Sequence, residues 1–110
     1  MAINSVAIGA TNTTIFTASG DKMIATMIFC NTALRNPLQD DSNTTYLTIH
    51  LVKSGQSVSD TNMIVNALEL PASETVFFDT ERLVLANGDA VVASTTSPTT
   101  IVCTISTVDI

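Results

Sequence analysis

The sequence predicts an all-β fold, an antiparallel β-sandwich of about eight strands, with jelly-roll connections as one way of joining them. Three observations predict it. Thr is the commonest residue and joins Val and Ile in supplying β-branched side chains, whose two heavy atoms on Cβ suit a pleated surface better than a helix. Apolar and polar residues alternate with a period of two in the clearest segments, as in strands with one face in a core. Clusters rich in Gly, Pro, Asn and Asp recur between those segments, at the spacing of turns between short strands. A chain of 110 residues suits one domain over 1–110, so any mechanism must be carried by one small core and its loops.

Residues 3–8 and 13–17 open the chain as short strands, and Ser19-Gly20-Asp21 turns the chain after them. Residues 24–31 are apolar on both faces, with Ile24, Ile28 and Cys30 on one and Met27 and Phe29 on the other. That pattern fits a central strand or a strand whose second face lies in an interface, and the interface is the preferred reading. Residues 32–44 form a loop longer than a tight hairpin needs. Its Leu34, Pro37 and Leu38 have no periodic role and Arg35 is one of only four basic residues, which makes it a candidate for gripping a partner. An ordinary exposed loop is the competing reading.

In residues 45–51, Leu47, Ile49 and Leu51 alternate with Thr48 and His50. In residues 101–106, Ile101, Cys103 and Ile105 repeat the pattern, and these are the two clearest strand signals. Between them, strands are expected at 63–68, 75–79 and 90–94, punctuated by Ser54-Gly55-Gln56, Pro71-Ala72-Ser73 and Asn87-Gly88-Asp89. Residues 80–85 read instead as one helical turn with Thr80 as its cap.

Composition narrows the function classes. The net charge of -6 is the wrong sign for holding a phosphate backbone, so no nucleic-acid partner is expected. Only 13% of residues are charged, about half the usual share, so the polar surface must come from Thr, Ser and Asn. A lone soluble domain normally carries more charge, and much of this surface is therefore expected to be covered by copies or partners. The N-terminus has no basic region and no apolar run long enough to span a membrane, so a soluble, cytosolically made protein without a membrane partner is expected. Cys30 and Cys103 lie in apolar segments without Cys-x-x-Cys spacing and read as buried free thiols. The sequons Asn12-Thr13-Thr14 and Asn43-Thr44-Thr45 then mean only polar loops.

No constellation reads as catalytic, and no cofactor or metal is expected. His50, the only histidine, sits mid-strand, away from any Gly-x-Ser-x-Gly turn, and reads as a solvent-facing strand residue rather than a catalytic base. Asp79 and Glu81 would share a face of an extended chain and could serve as a carboxylate pair in sugar hydrolysis. No Trp and a single Tyr, Tyr46, leave few platforms on which a sugar could stack. Asp40, Asp41 and Asn43 place hard oxygen donors in a row, but the Gly and the bidentate Glu of a calcium loop are missing.

Several segments, taken in order, carry a family resemblance. They are Thr14-Ile15-Phe16-Thr17-Ala18-Ser19-Gly20, Ile28-Phe29-Cys30-Asn31-Thr32, Leu51-Val52-Lys53-Ser54-Gly55 with Asp60-Thr61-Asn62, and Leu83-Val84-Leu85-Ala86-Asn87-Gly88-Asp89. In these the chain resembles the small β-sandwich structural proteins of tailed-bacteriophage virions, including those of cyanophages. Residues 33–43 are longer than the short hairpin usual there. The resemblance implies a non-enzymatic virion protein, assembled in the host cytoplasm, that decorates or cements a capsid through the major capsid protein or other virion proteins, often as a homotrimer. A tail, neck or baseplate accessory is the alternative within that class. A carbohydrate-binding module or adhesin using loop 32–44 is the alternative outside it. The interface expected from the residues comprises Leu34, Arg35, Pro37 and Leu38 of the loop with Met27 and Phe29 of the two-sided strand.

Overall fold

A computed structural model describes residues 2–34, 43–78, 83–96 and 101–110 of the chain. Among the described residues nine strands form in sequence: β1 (Ala2–Ile8), β2 (Thr13–Thr17), β3 (Lys22–Asn31), β4 (Thr45–Val52), β5 (Met63–Leu70), β6 (Thr75–Phe78), β7 (Leu83–Leu85), β8 (Ala90–Thr95) and β9 (Ile101–Asp109). One 3-10 turn, Asp60–Asn62, precedes β5. All pairings are antiparallel. One sheet has the order β1-β9-β3-β6 with β7 also on β3, and the other has the order β2-β8-β4-β5.

β6 and β7 lie along the same edge of β3, the first opposite Met27 to Cys30 and the second opposite Lys22 to Ile24. Along that edge they take the place of one strand, which gives eight strand positions among the described residues. First then pairs with last, second with second-last, third with β6 and β7, and fourth with fifth. That nesting of hairpins is the winding of a jelly roll, which divides eight strands between two sheets.

Residues 83–85 are therefore a strand and not the expected helical turn. Edge pairing with β3 offers each residue a ladder partner, whereas a single isolated turn of helix is unfavourable to nucleate. Its proposed cap, Thr80, lies outside the described residues.

The core fills the space between the sheets. Ile24, Met27, Phe29, Ile101, Cys103 and Ile105 from the first sheet face Leu47, Ile49, Val91 and Ala93 from the second, and all are buried. Phe29 meets Phe78 edge to face, with ring centroids 5.7 Å apart, a geometry that sets the positive ring edge against the negative face.

One buried polar side chain ties the layers together. At the end of β3, Asn31 donates from Nδ2 to the carbonyls of Asn43 (2.9 Å) and of Leu70 at the end of β5 (3.0 Å). Its Oδ1 accepts from the backbone N–H of Ala33 at 3.1 Å. The side chain thus joins the first sheet to the last residue of an edge strand in the second.

At one end of the sandwich three turns are tied together by Asp89. Its carboxylate accepts from the backbone N–H groups of Ser54 and Ala86, each at 3.0 Å. Its carbonyl accepts from Ala18 N–H at 2.8 Å, and Gly88 N–H donates back to the Ala18 carbonyl at 2.9 Å. Gly88 has φ +91, and a Cβ there would lie 2.5 Å from Ser54 Oγ, so both the backbone angle and the space demand glycine.

Candidate functional site

The two sheets differ in what covers their outer faces. On the β2-β8-β4-β5 sheet, register places His50 beside Val92 and Met63 on the outer face. The segment leading to the 3-10 turn folds back over this part of the sheet. Asn62 Nδ2 donates to the Ser57 carbonyl (2.9 Å) and its Oδ1 accepts from Ser59 N–H (3.1 Å). Those two bonds fix the amide orientation, so the third contact, 2.8 Å from His50 Nδ1, must be Nδ1–H donating to Oδ1. His50 is accordingly buried, against the expectation of a solvent-facing residue. It latches a covering segment that strand periodicity cannot reveal.

A groove of about 360 Å³ remains on this side, lined by Asn12, Thr14, Lys53, Gln56, Ser57 and Val92 among others. No aromatic side chain lines it. Among the described residues, no three His, Cys, Asp or Glu side chains cluster to hold a metal ion.

The other sheet is open outside. Cross-strand register sets its outward side chains in four rows: Ala7, Val102, Cys30 and Thr75; Ser5, Thr104, Ile28 and Phe77; Ile3, Ser106 and Thr26; Val108, Met23 and Val84. None is charged. Ile3 is 72% exposed, Phe77 58% and Val84 63%, while Ile28, Cys30, Val102 and Val108 are half-buried by their neighbours. The only polar groups in the rows are Ser and Thr hydroxyls, two of which, on Ser5 and Thr104, bond each other at 3.3 Å. The described acidic residues lie elsewhere, at turns, at strand ends or on the second sheet. At the end of β3 and β9, on the inward-facing parity, Lys22 pairs with Asp109, and that hydrogen bond and charge hold the Asp109 carboxyl below its ordinary range.

The expected interface residues divide. Met27 and Phe29 are not on a surface at all: both are buried in the core. The register of β3 shifts between Ile24 and Thr26, so Ile24 joins Met27 and Phe29 on the inner face. Ile28 and Cys30 are left on the outside. β3 is thus central and two-sided, with the outward role on the opposite set. Leu34 is exposed. Arg35, Pro37, Leu38, Asp40, Asp41, Asp79 and Glu81 lie outside the described residues.

Cys30 and Cys103 occupy adjacent strands but opposite faces, which bars a disulfide between them. Both are free. Burial pushes the Cys103 thiol up to about 12, whereas Cys30, expected to be buried, is half-exposed on the open face. No helix among the described residues is long and apolar enough to cross a membrane.

No protein-family model, curated protein or solved structure matches the chain.

Proposed function

We propose that the chain is a non-enzymatic structural protein of a bacteriophage virion, most simply a capsid decoration or cement protein whose open sheet is covered on assembly. The observation that carries this reading is the outer face of the β1-β9-β3-β6 sheet, whose described residues carry no charge and on which Ile3, Phe77 and Val84 are exposed. Single exposed apolar residues are ordinary, but neighbouring rows whose described residues are apolar or hydroxylic and carry no charge support a surface that meets another protein. The segments that resemble small virion proteins give the assembly its identity. The winding is compatible, since jelly rolls build viral capsid domains, although they also build lectins and a fold alone does not fix a function.

The test is to locate the protein in purified particles from infected cells by mass spectrometry and by labelled-antibody electron microscopy. Label over the capsid shell is expected, and label confined to the tail, neck or baseplate would move the protein to the accessory class. Absence from purified particles despite expression in infected cells would refute the proposal.

A further inference from the structure

We infer that the open face of the β1-β9-β3-β6 sheet binds a second copy of the same chain, face to face about a two-fold axis. The inference deepens the virion reading and rests on it for the view that this face is covered in the working state. Three features select a copy as the occupant. The first is chemistry: the described residues of the face offer methyl, ring and hydroxyl groups but no charge, so they complement a surface that is itself uncharged, apolar and pleated. The chain presents such a surface on this sheet.

The second is shape. Two sheets stack about 10 Å apart with their strands roughly aligned, and the two sheets of this molecule already meet face to face through one core cluster. A second such contact would bury Ile3, Ile28, Phe77 and Val84 as inner faces are buried. The third is area. Four strands at about 4.8 Å spacing and roughly eight residues at about 3.4 Å rise give a plane of about 500 Å². A pleated, side-chain-covered plane exposes more than its projection, which brings it to the scale of roughly 600–1000 Å² per partner that stable interfaces bury.

A self-complementary patch closes with two copies. This face therefore accounts for a dimer, and the trimer implied by the resemblance would need a different surface.

Sedimentation equilibrium of the full chain at about 10–100 µM, where a dimer with Kd of about 1 µM or tighter is mostly formed, provides the test. Three single variants accompany it: Phe77→Lys and Ile3→Lys on the open face, and Tyr46→Lys on the outer face of the other sheet. All three positions are exposed, and an unchanged circular-dichroism melt verifies the fold of each. The expected result is a wild-type dimer that Phe77→Lys and Ile3→Lys each weaken at least tenfold and Tyr46→Lys leaves within twofold. A monomer at the highest concentration overturns the inference. So does any oligomer, trimer included, that the two open-face lysines leave intact. Either outcome leaves the virion reading standing, because that is decided on purified particles.

Discussion

Asn31 is the side chain whose removal should most clearly expose how the two sheets are held together. It is buried, with Nδ2 shared between the carbonyls of Asn43 and Leu70 and Oδ1 on the N–H of Ala33. Replacing it with Ala deletes three hydrogen bonds, each worth about 1 kcal/mol net, and strands at least the Leu70 carbonyl in a buried setting at about 1–3 kcal/mol. A loss of about 4–6 kcal/mol is expected, a large part of the stability of a domain this size. Asn31→Asp is the sharper variant. A carboxylate of the same shape cannot donate and would face two carbonyl oxygens, so its protonated form is favoured in the folded state and its pKa rises there. Stability tied to a raised carboxyl pKa is present below the unfolded value of about 3.9 and is lost as pH rises through the folded one. Asn31→Asp should therefore lie closest to wild type near pH 4 and furthest from it at pH 7. Urea unfolding at both pH values, followed by far-ultraviolet circular dichroism, measures this. An Asn31→Ala variant within about 0.5 kcal/mol of wild type would refute the clamp, as would an Asn31→Asp deficit that does not grow with pH.

Three further outcomes follow from named contacts. Asp89→Ala removes the acceptor of Ser54 and Ala86 N–H and should cost about 2–3 kcal/mol in urea unfolding, with Asp89→Asn recovering part of it. Gly88→Ala should cost more than Gly55→Ala: both glycines have positive φ, but only at Gly88 would a Cβ strike Ser54, at 2.5 Å from its Oγ. Thermal melts of the two variants compare strain alone with strain plus collision, and equal losses would dismiss the steric part. Cys103, pushed up to about 12 by burial, should resist a thiol reagent at pH 8 while half-exposed Cys30 reacts, as peptide mass mapping would show. Because its folded pKa lies above the unfolded value, its contribution to stability is complete below about pH 9 and declines toward pH 12, by up to about 4 kcal/mol. Cys103→Ala should flatten that decline in unfolding experiments between pH 8 and 11.

Much of the fold was legible because its signals are local. The turns at Gly20, Gly55, Ser73 and Gly88 coincide with the Gly, Pro, Asn and Asp clusters of the sequence, and all four residues have positive φ. The alternation around Leu47 and Ile49, and again around Ile101 and Ile105, marks inner-face positions of β4 and β9. What could not be read depends on partners distant in sequence. The register shift near Ala25 exchanges the faces of β3, and nothing in residues 22–31 announces it. β7 is a strand because an edge of β3 is free to receive it, which a three-residue window cannot express. The burial of His50 depends on Asn62, twelve residues on. Asn31 read only as the end of an apolar strand, although a polar amide closing such a run is itself a sign of a buried clamp.

The contrast between the two outer faces ties composition to the proposed assembly. A chain with 13% charged residues has few charges to distribute, and an even scatter would leave both sheets partly solvated. Instead, the described charges lie at turns and rims and on the second sheet, which also receives a covering segment latched by His50 and Asn62. Among the described residues, the first sheet has neither device. Burying its rows would remove apolar area from water at about 25 cal/mol per Å² without desolvating an ion, whereas each buried unpaired charge would cost several kcal/mol. The net charge of -6 acts in the opposite sense, by keeping copies apart while they are dilute. Salt screens that repulsion within about 8 Å at physiological strength and leaves the apolar contact in place. Pairing through this face should therefore tighten as salt rises, the reverse of what a contact built on opposite charges would do.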